Sequence, residues 1–334
     1  MTVLAGEDPG AIAQAADRLA AGGLVGLPTE TVYGLAARAD SDAAVAGIYA
    51  AKGRPADHPL IVHVTGRAAA EVFAARLPPA ALRLIDAFWP GPVTVIVPRR
   101  PGVAEAAAGG QDSVGLRCPS HPVARALLAA AEARGVPGVA APSANRFGRV
   151  SPTSAAHVVA EFGPDLLVLD GGECPVGIES TIVDLSRGRP VLLRPGQLER
   201  AELEAVLGEP LLAPDAEAPR APGTLASHYA PRARVRLWAP AALAQALGPG
   251  PAAAGGQRER LPAGLAVYSR QPLANHPAVA HWRPMPPMAP AVAHELFAVL
   301  RALDDLGASE IWVEQPPDGP AWDGVRDRLQ RAAA

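Results

Sequence analysis

Lysine is almost absent from this sequence. Lys52 is the only one, and arginine supplies the other 29 of the 30 basic residues. Aromatic residues are scarce as well, at 4% against 49% for all hydrophobic residues, so the predicted cores consist of Ala, Val and Leu. A lysine kept where arginine is otherwise used reflects either chance or a position that a planar guanidinium cannot fill. Lys52 is therefore the first candidate functional residue.

Cysteine is scarce too. Cys118 and Cys174 form no CxxC pair and offer no zinc framework, and free thiols in a reducing cytosol are favoured over a disulfide. The first residues lack the basic segment and long apolar run of a signal peptide. No stretch reaches the roughly 18 uninterrupted apolar residues of a membrane span. We expect a cytoplasmic protein without a membrane anchor.

An excess of positive charge is also missing. The formal net charge of −3 argues against a general nucleic-acid binder, which is usually basic overall. A local basic cleft remains compatible with this value, because net charge says little about one pocket. At 334 residues, two domains are the natural expectation.

Short apolar segments alternate with amphipathic ones over residues 1–205, which predicts an α/β catalytic domain. Strands are predicted at 24–27, 60–64, 93–97, 113–117, 138–141, 166–169, 180–184 and 191–194. Helices are predicted at 9–22, 41–51, 78–88, 121–134 and 153–162. Ser41 is a predicted N-cap, and Gly22-Gly23 is a predicted helix end.

The composition changes after about residue 205. Residues 206–232 are rich in Pro and Ala and predict an extended linker. A second α/β pattern occupies residues 233–334, with strands at 235–238, 265–268 and 310–313 and helices near 240–247 and 290–306. It predicts a small three-layer domain with a parallel sheet. Residues 248–262 are predicted to form a surface loop.

Polar clusters lie at the ends of several predicted strands, where α/β enzymes place their sites. The two threonines and the glutamate of residues 28–34 are predicted to orient a small polar substrate, and the alternative is a capped turn. Residues 177–181 carry a similar polar group. Lys52 and Arg54, close to His58 and His63, indicate an anion site. The alternative is a solvated helix end, where cations complement the helix dipole. No Walker loop, GxGxxG, HExxH or nucleophile elbow occurs.

Alternation along extended chain brings further groups together. Ser113 and Arg117 lie on one face of a predicted strand, and an arginine there needs a substrate carboxylate or an internal Asp or Glu as its partner. Ser143 and Asn145 flank Ala144, so their side chains are predicted to point the same way.

Eleven stretches carry a family resemblance that covers nearly the whole chain in order. They are 27–35, 51–55, 58–63, 89–94, 113–117, 141–145, 177–181, 194–196, 221–223, 227–231 and 327–333. Together they resemble the L-threonylcarbamoyladenylate synthase family (YrdC/YwlC-like), in its long form with a C-terminal accessory domain.

The resemblance implies a fold and a reaction. The fold would be a YrdC-like twisted open mixed sheet with flanking helices, followed by a smaller Rossmann-like three-layer α/β domain. L-threonine, bicarbonate and ATP would give threonylcarbamoyl-AMP and pyrophosphate, a nucleotidyl transfer. Mg²⁺ would be held mainly through the ATP phosphates, without protein ligands. A partner transferase would then modify the tRNA adenosine beside the anticodon.

The resemblance also implies residue roles. The family's Lys-x-Arg and Ser-x-Asn signature is matched by the implied catalytic residues Lys52, Arg54, Ser143 and Asn145. The implied L-threonine contacts, with Arg117 clamping the carboxylate, are Thr31, His63, Arg117, Ala141, Ser180 and Thr181. The implied ATP contacts are Lys52, Arg54, His58, Ser113, Ser143, Asn145, Ser151, Arg194 and Tyr229.

Tyr229 lies in the predicted linker. The linker is therefore hypothesised to close over the site and exclude water from a labile mixed anhydride, and the alternative is a plain tether. Some family members carry basic residues before the His-Tyr pair, where this chain has Leu225-Ala-Ser227, so we assign no phosphate contact to that stretch.

Two other functions compete with the synthase. A carbamoyl-transfer protein of hydrogenase maturation also contains a YrdC-like domain, but it needs zinc-finger cysteines that two cysteines cannot supply. A non-catalytic protein that binds double-stranded RNA or tRNA would show salt-dependent RNA affinity and no pyrophosphate release. The complete signature favours the enzyme, with at most weak RNA contact.

Overall fold

The computed structural model describes residues 3–248, 261–273, 276–277 and 279–334. The chain divides into two compact units. The first comprises Met1–Phe147 and Ser151–Leu225, and the second comprises Gly148–Val150 and Ala226–Ala334. The boundary between Leu225 and Ala226 falls inside the segment 206–232, for which the sequence predicts a linker.

The described part of the first unit contains ten strands and seven helices. The strands are β1 (Val3–Ala5), β2 (Val25–Leu27), β3 (Gly34–Arg38), β4 (Ile61–His63), β5 (Val93–Pro98), β6 (Ser113–Arg117), β7 (Val139–Ala140), β8 (Leu167–Asp170), β9 (Thr181–Asp184) and β10 (Val191–Arg194). The helices are α1 (Pro9–Ala20), α2 (Asp42–Lys52), α3 (Arg67–Phe73), α4 (Pro79–Phe88), α5 (Pro122–Glu132), α6 (Ala155–Phe162) and α7 (Arg200–Leu207).

All ten strands belong to one mixed sheet, in the order β1-β8-β2-β3-β7-β4-β6-β5-β9-β10. Parallel β4 and β6 pair His63 with Arg117, so two predicted site residues end adjacent strands. Parallel β5 and β9 pair Val93 with Thr181. The predicted mixed sheet is confirmed, and its register determines which polar ends become neighbours.

Helices cover both faces of this sheet. Leu35 and Ala37 pack in the core beneath α2, whereas Ala36 packs on the opposite side with α1 and α5. Successive strand residues point to opposite faces, so β3 contributes to both cores. Each fully buried leucine, such as Leu35, contributes about 2 kcal/mol of hydrophobic stabilisation.

The helix boundaries follow local chemistry. Ser41 caps α2, its side chain accepting a hydrogen bond from the Ala44 amide at 3.3 Å, as predicted. Gly22, with φ 82°, follows the end of α1, and Gly53, with φ 62°, ends α2 in the left-handed conformation. The sequence missed β1, β3, α3 and α7. Strand β3 carries no β-branched residue, so its composition does not indicate a strand.

The described part of the second unit contains four strands, three α-helices and a 3₁₀ turn at Pro320–Trp322. They are β11 (Arg234–Trp238), α8 (Pro240–Leu247), β12 (Ala266–Ser269), β13 (His281–Pro284), α9 (Ala289–Asp305), β14 (Glu310–Glu314) and α10 (Asp323–Ala332). The sequence missed β13 and α10. Most of the predicted loop 248–262 lies outside the described residues.

The strands of the second unit are all parallel, in the order β11-β14-β12-β13. Val267 packs in one core with Leu243 of α8, and the neighbouring Tyr268 donates a hydrogen bond to Glu295 of α9 at 2.8 Å. Because adjacent strand residues face opposite sides, α8 and α9 cover opposite faces of the sheet. The predicted three-layer domain with a parallel sheet is confirmed.

Cys118 and Cys174 form no disulfide, and they are 2% and 1% exposed. No helix within the described ranges has the length and apolar character needed to cross a bilayer.

Candidate active site

Lys52 is the last residue of α2 and is 3% exposed. Its ammonium donates hydrogen bonds to the carbonyl oxygen of Ser143, at 2.6 Å, and to that of Asn145. Burial, and then the charge of Arg54, lowers the pKa of Lys52 well below its usual value. The two carbonyl oxygens act in the opposite direction because they favour the protonated amine. Lys52 is thus held in a carbonyl cradle, and its helix end is not solvated.

The Ser143–Asn145 segment follows β7 and bends at Ala144, where the Asn145 backbone amide donates to the Ser143 carbonyl at 3.0 Å. Ser143 bridges to Gly34, and the Ala144 amide donates to the Tyr33 carbonyl at 2.7 Å. This bend, and not the alternation of an extended chain that the sequence predicted, brings the carbonyl oxygens of residues 143 and 145 to Lys52. The sequence argument concerned the side chains of these two residues. The side-chain amide of Asn145 donates to the Arg146 carbonyl at 2.7 Å.

Arg54 and His58 gather around Phe147. The Arg54 guanidinium lies 5.7 Å from the centre of the Phe147 ring, and His58 meets the same ring edge-on at 5.4 Å. The Phe147 amide donates to the Lys52 carbonyl at 2.9 Å, which ties this ring to the end of α2. Burial, and then Arg54, lowers the pKa of His58, so His58 is mainly neutral near pH 7. One guanidinium and one neutral imidazole therefore contact the same aromatic ring.

Arg117 forms the centre of a second cluster and is 3% exposed. Its Nη1 donates to Thr31 Oγ1 at 2.8 Å, its Nε donates to the Gly91 carbonyl at 3.3 Å, and its Nη2 lies 2.7 Å from Glu30 Oε1. The sequence predicted either a substrate carboxylate or an internal acid as the partner of Arg117. The described chain provides the internal acid, Glu30.

His63 is the strand neighbour of Arg117 and is fully buried against the same cluster. Burial, and then the charge of Arg117, lowers the pKa of His63 from 6.5 to about 3. The ring is neutral at physiological pH, with Nδ1 3.3 Å from the Ile61 carbonyl oxygen. A neutral imidazole beside Arg117 adds a polar contact without adding positive charge.

Ser180 and Arg194 form a third cluster. Arg194 Nη2 donates to the Ser180 carbonyl at 2.9 Å, and the Ser180 hydroxyl lies 2.8 Å from the hydroxyl of Thr94. Gly196 packs closely beside them, since a Cβ on it would lie 2.6 Å from the amide nitrogen and Oγ1 of Thr181. The Arg194-Pro-Gly196 motif thus supports the start of β9, where Thr181 lies.

Ser113 lines a small pocket at the start of β6. Its walls are apolar at Ile61, Ile96 and Ile182 and polar at Thr94 and Gln111. Its free volume, about 10 Å³, has room for about one water molecule and is too small for a nucleotide base.

Ser151 is fully buried, and its hydroxyl donates to Glu179 Oε1 at 2.5 Å. Ala141 follows β7, and its backbone amide donates to the Ile61 carbonyl at 3.0 Å. Both residues are therefore built into the first unit.

Tyr229 belongs to the second unit. Its ring is fully buried, stacks on Phe297 at 5.2 Å and lies 5.6 Å from the Arg328 guanidinium. Its backbone adopts a φ of 62°, rare for a bulky residue. The ATP contact assigned to Tyr229 by resemblance, and the closure of the linker, remain predictions.

Within the described ranges, no three His, Cys, Asp or Glu side chains converge in a way that could hold a metal ion. That Mg²⁺ is held mainly through the ATP phosphates stays a prediction, and the residue types at Lys52 and Arg54 suit phosphate oxygens.

Glu179 and Phe147 were not assigned a role from the sequence, and Glu30 was named only together with two threonines as a group that orients a small polar substrate. Glu30 and Glu179 lie in motifs that the sequence singled out, but only their neighbours were chosen as ligands. Phe147 lies just after the Ser-x-Asn motif and carries no polar group, so a search for polar residues passes over it.

Two family models match the chain. The Sua5/YciO/YrdC model, described as telomere recombination, covers residues 17–196. The Sua5 C-terminal model, described as the threonylcarbamoyl-AMP synthase C-terminal domain, covers residues 198–334. These two ranges account for almost all of the sequence.

Curated relatives include proteins named threonylcarbamoyl-AMP synthase. The chain is 46% identical over 220 residues to the one from Pyrococcus abyssi, an alignment that covers 64% of each protein. It is 41% identical over 232 residues to the one from Bacillus subtilis, covering 68% of this chain and 66% of the relative. The aligned regions therefore span somewhat less than two thirds of these relatives' lengths.

Solved structures of P. abyssi Sua5 are similar over more of their length. A doubly substituted variant matches with a TM-score of 0.87 at 33% identity, covering 100% of this chain and 96% of that one. The complex of that protein with L-threonine matches with a TM-score of 0.84 at 34% identity, covering 96% and 94%. With a family model that matches more than half of its residues, this chain belongs to the Sua5/YciO/YrdC family.

Proposed function

We propose that this protein is a threonylcarbamoyl-AMP synthase, a nucleotidyltransferase that uses L-threonine, bicarbonate and ATP. The observation that carries the proposal is the cluster of Lys52 with Ser143 and Asn145, 91 and 93 residues apart in sequence, beside Arg54 and His58. The names of the relatives, and the L-threonine complex of the P. abyssi protein, support the same activity. They do not support the alternative, a non-catalytic RNA binder.

The proposed reaction joins two anions. The amino nitrogen of L-threonine bonds to the carbon of bicarbonate-derived CO₂ to form a carbamate. A carbamate oxygen then bonds to the α-phosphorus of ATP, and pyrophosphate leaves. Water is the remaining product of the bicarbonate. Negative charge accumulates at the α-phosphate, so the site must supply fixed positive groups there.

The residues divide between the two substrates in this proposal. Arg54 and Lys52 neutralise the phosphates, and the Ser113 hydroxyl contacts the nucleotide. Arg117 binds the L-threonine carboxylate with its planar fork, and neutral His63 adds a hydrogen bond. Mg²⁺ arrives with ATP and adds charge neutralisation at the phosphates. Lys52 stabilises charge and also positions the Ser143–Asn145 segment, and it is not a nucleophile.

The cellular roles also belong to the proposal. The intermediate would pass to a transferase that modifies the tRNA adenosine beside the anticodon, in the cytoplasm where ATP and tRNA are available. Direct contact between this chain and RNA is not required for that transfer.

The experiment is mass-spectrometric detection of threonylcarbamoyl-AMP with wild type, Lys52→Ala and Lys52→Arg. Wild type should form product, and release pyrophosphate, only when all three substrates are present. Both variants should lose about 100-fold or more in rate, because a guanidinium is too large for the cradle and an alanine leaves it empty.

Arg67→Ala is the matched control, since this cation lies on the surface of α3 with its side chain 52% exposed. It should keep wild-type rates. Absence of product from wild type would refute the synthase function, and full activity of a folded Lys52→Arg protein would refute the role of the cradle.

A further inference from the structure

Glu30 is a buried carboxylate to which the function above assigns no role. It follows β2 in the 28–34 segment, and its side chain is 6% exposed. Its charged partner in the described chain is Arg117, at 2.7 Å. A carboxylate this well buried is costly unless its charge and its oxygens are both matched.

The charge of Glu30 is matched, but its oxygens are not. Among the residues that the structure describes, none directs an aligned hydrogen bond to Oε1 or Oε2 of Glu30. Carboxylates buried in proteins are usually satisfied by several donors. The Glu30 oxygens therefore have acceptor capacity for the N–H groups of a ligand.

Arg117 shows the complementary pattern. Its Nε and Nη1 donate to the Gly91 carbonyl and to Thr31, which fixes the orientation of the guanidinium. A guanidinium carries five N–H donors, so donors remain for a ligand carboxylate. The Arg117 cation and the Glu30 anion thus lie side by side, and each can make further hydrogen bonds to a ligand.

An α-amino acid carries the same two charges on adjacent groups. Its carboxylate can face a cation while its ammonium faces an anion next to it. We propose that Glu30 binds the α-amino group of the amino-acid substrate while Arg117 binds its carboxylate. Glu30 thereby selects amino acids over hydroxy acids and holds the reacting nitrogen. This inference rests on the proposed function, because it takes L-threonine as the substrate.

The role extends through the reaction. The ammonium of free L-threonine donates to Glu30 on binding, and the nitrogen of the carbamate still carries an N–H that needs an acceptor. The same oxygens can receive both. Glu30 therefore fixes the nitrogen while its carbon partner approaches, which favours a productive orientation.

The test compares two ligands by calorimetry: L-threonine and its 2-hydroxy analogue, 2,3-dihydroxybutanoate. Wild type should bind L-threonine about 100-fold more tightly, because the analogue has no ammonium to satisfy Glu30. In Glu30→Gln this preference should fall by about tenfold or more, chiefly through weaker L-threonine binding. Arg117→Gln should weaken both ligands.

Asp184→Asn is the matched control. Asp184 is also a fully buried carboxylate paired with an arginine, Arg187, but it lies at the far end of β9 from Thr181. This variant should lose stability and keep the preference for L-threonine. The Asp184→Asn control therefore shows whether a loss of stability alone changes the ligand preference, as distinct from the loss of the proposed Glu30 contact.

Two results would overturn the inference. One is a Glu30→Gln protein that weakens both ligands equally, because Glu30 would then act only through Arg117. The other is a wild type that binds the two ligands equally well, a result that needs no folded variant. If wild type makes product and either result holds, only the role of Glu30 fails. If wild type binds no L-threonine, the proposed function fails with it.

Discussion

Buried charge dominates the candidate site at the scale of single residues. Lys52, Arg117 and Glu30 are each 5% exposed or less, and each is held by backbone or by an oppositely charged group. Removing one partner of such a pair leaves an uncompensated charge, which costs about 3–5 kcal/mol. Replacing both partners of a buried pair with apolar residues is often neutral or stabilising, so such pairs add little net stability. Ligand binding explains these buried charges better.

His63 provides a prediction at this scale. Its pKa is about 3 in the folded protein against an ordinary value of 6.5. Between these values the unfolded chain binds a proton that the folded protein excludes, so stability is complete above pH 6.5 and falls as the pH decreases towards 3. At pH 5 this single group should cost about 2 kcal/mol.

The measurement is urea unfolding of wild type and His63→Gln at pH 7.5 and pH 5. Other groups titrate in both proteins, so the comparison isolates His63. The acid-induced loss of unfolding free energy should be smaller in the variant by about 2 kcal/mol. Equal losses in the two proteins would mean that the His63 ring accepts its proton normally.

At the scale of elements, the C-terminal end of helix α2 supplies two basic residues of the candidate site. Its last residue is Lys52, its C-cap is Gly53, and Arg54 follows immediately. The left-handed Gly53 turns the chain sharply, so Lys52 and Arg54, on either side of it, both lie at one helix terminus. The backbone at Gly53 therefore determines where both cations lie.

Helix α2 offers a paired prediction, because the same substitution should have opposite effects at its two glycines. At Gly53, with φ 62°, a Cβ meets no other atom within 4 Å, so Gly53→Ala costs only backbone strain, about 1 kcal/mol. At Gly47, inside the helix, the new Cβ would contact Leu24 at 3.6 Å, and Gly47→Ala should stabilise by about 0.5–1 kcal/mol.

Thermal and urea unfolding of the two variants check the pair. Gly53→Ala should also reduce product formation, since it disturbs the residues on either side, whereas Gly47→Ala should not. If both substitutions change stability in the same direction, the left-handed backbone at Gly53 is not what terminates α2.

How far the sequence predicts the fold also depends on the element. β5 was found because Val93-Thr-Val-Ile-Val97 is β-branched throughout and apolar except at Thr94. β3 was missed because it relies on alanines, which pack well between two helical layers but carry no strand preference. α10 is so rich in charged residues that its apolar stripe is short. Tertiary packing determines the structure of β3 and α10, and the pattern of residues within one segment does not reveal that packing.

The site was predictable to a similar extent. Motifs singled out Lys52, Ser143 and Asn145, but not the use of two backbone carbonyls as the lysine's partners. That contact joins residues 91 and 93 positions apart and depends on the bridge between Ser143 and Gly34. Glu30 was visible in its motif, yet only the register of neighbouring strands brings it to Arg117.

At the scale of the whole molecule, the two cysteines allow a simple prediction. Burial raises the pKa of both the Cys118 and the Cys174 thiol, so neither is a reactive thiolate. A disulfide reagent such as DTNB should label no thiol in the native protein and both thiols in guanidinium chloride. Rapid labelling of the native protein would mean that the core around β6 opens easily.

The buried Lys52 has a consequence for how other enzymes treat this protein. As the sequence contains no other lysine, the folded chain presents no side-chain amine to acetyltransferases or to ubiquitin ligases. Modification of an internal amine would require the end of α2 to open first, and the modified group could not return to its two carbonyls. Lysine-directed regulation is thereby restricted to molecules in which the contacts of Lys52 are already broken.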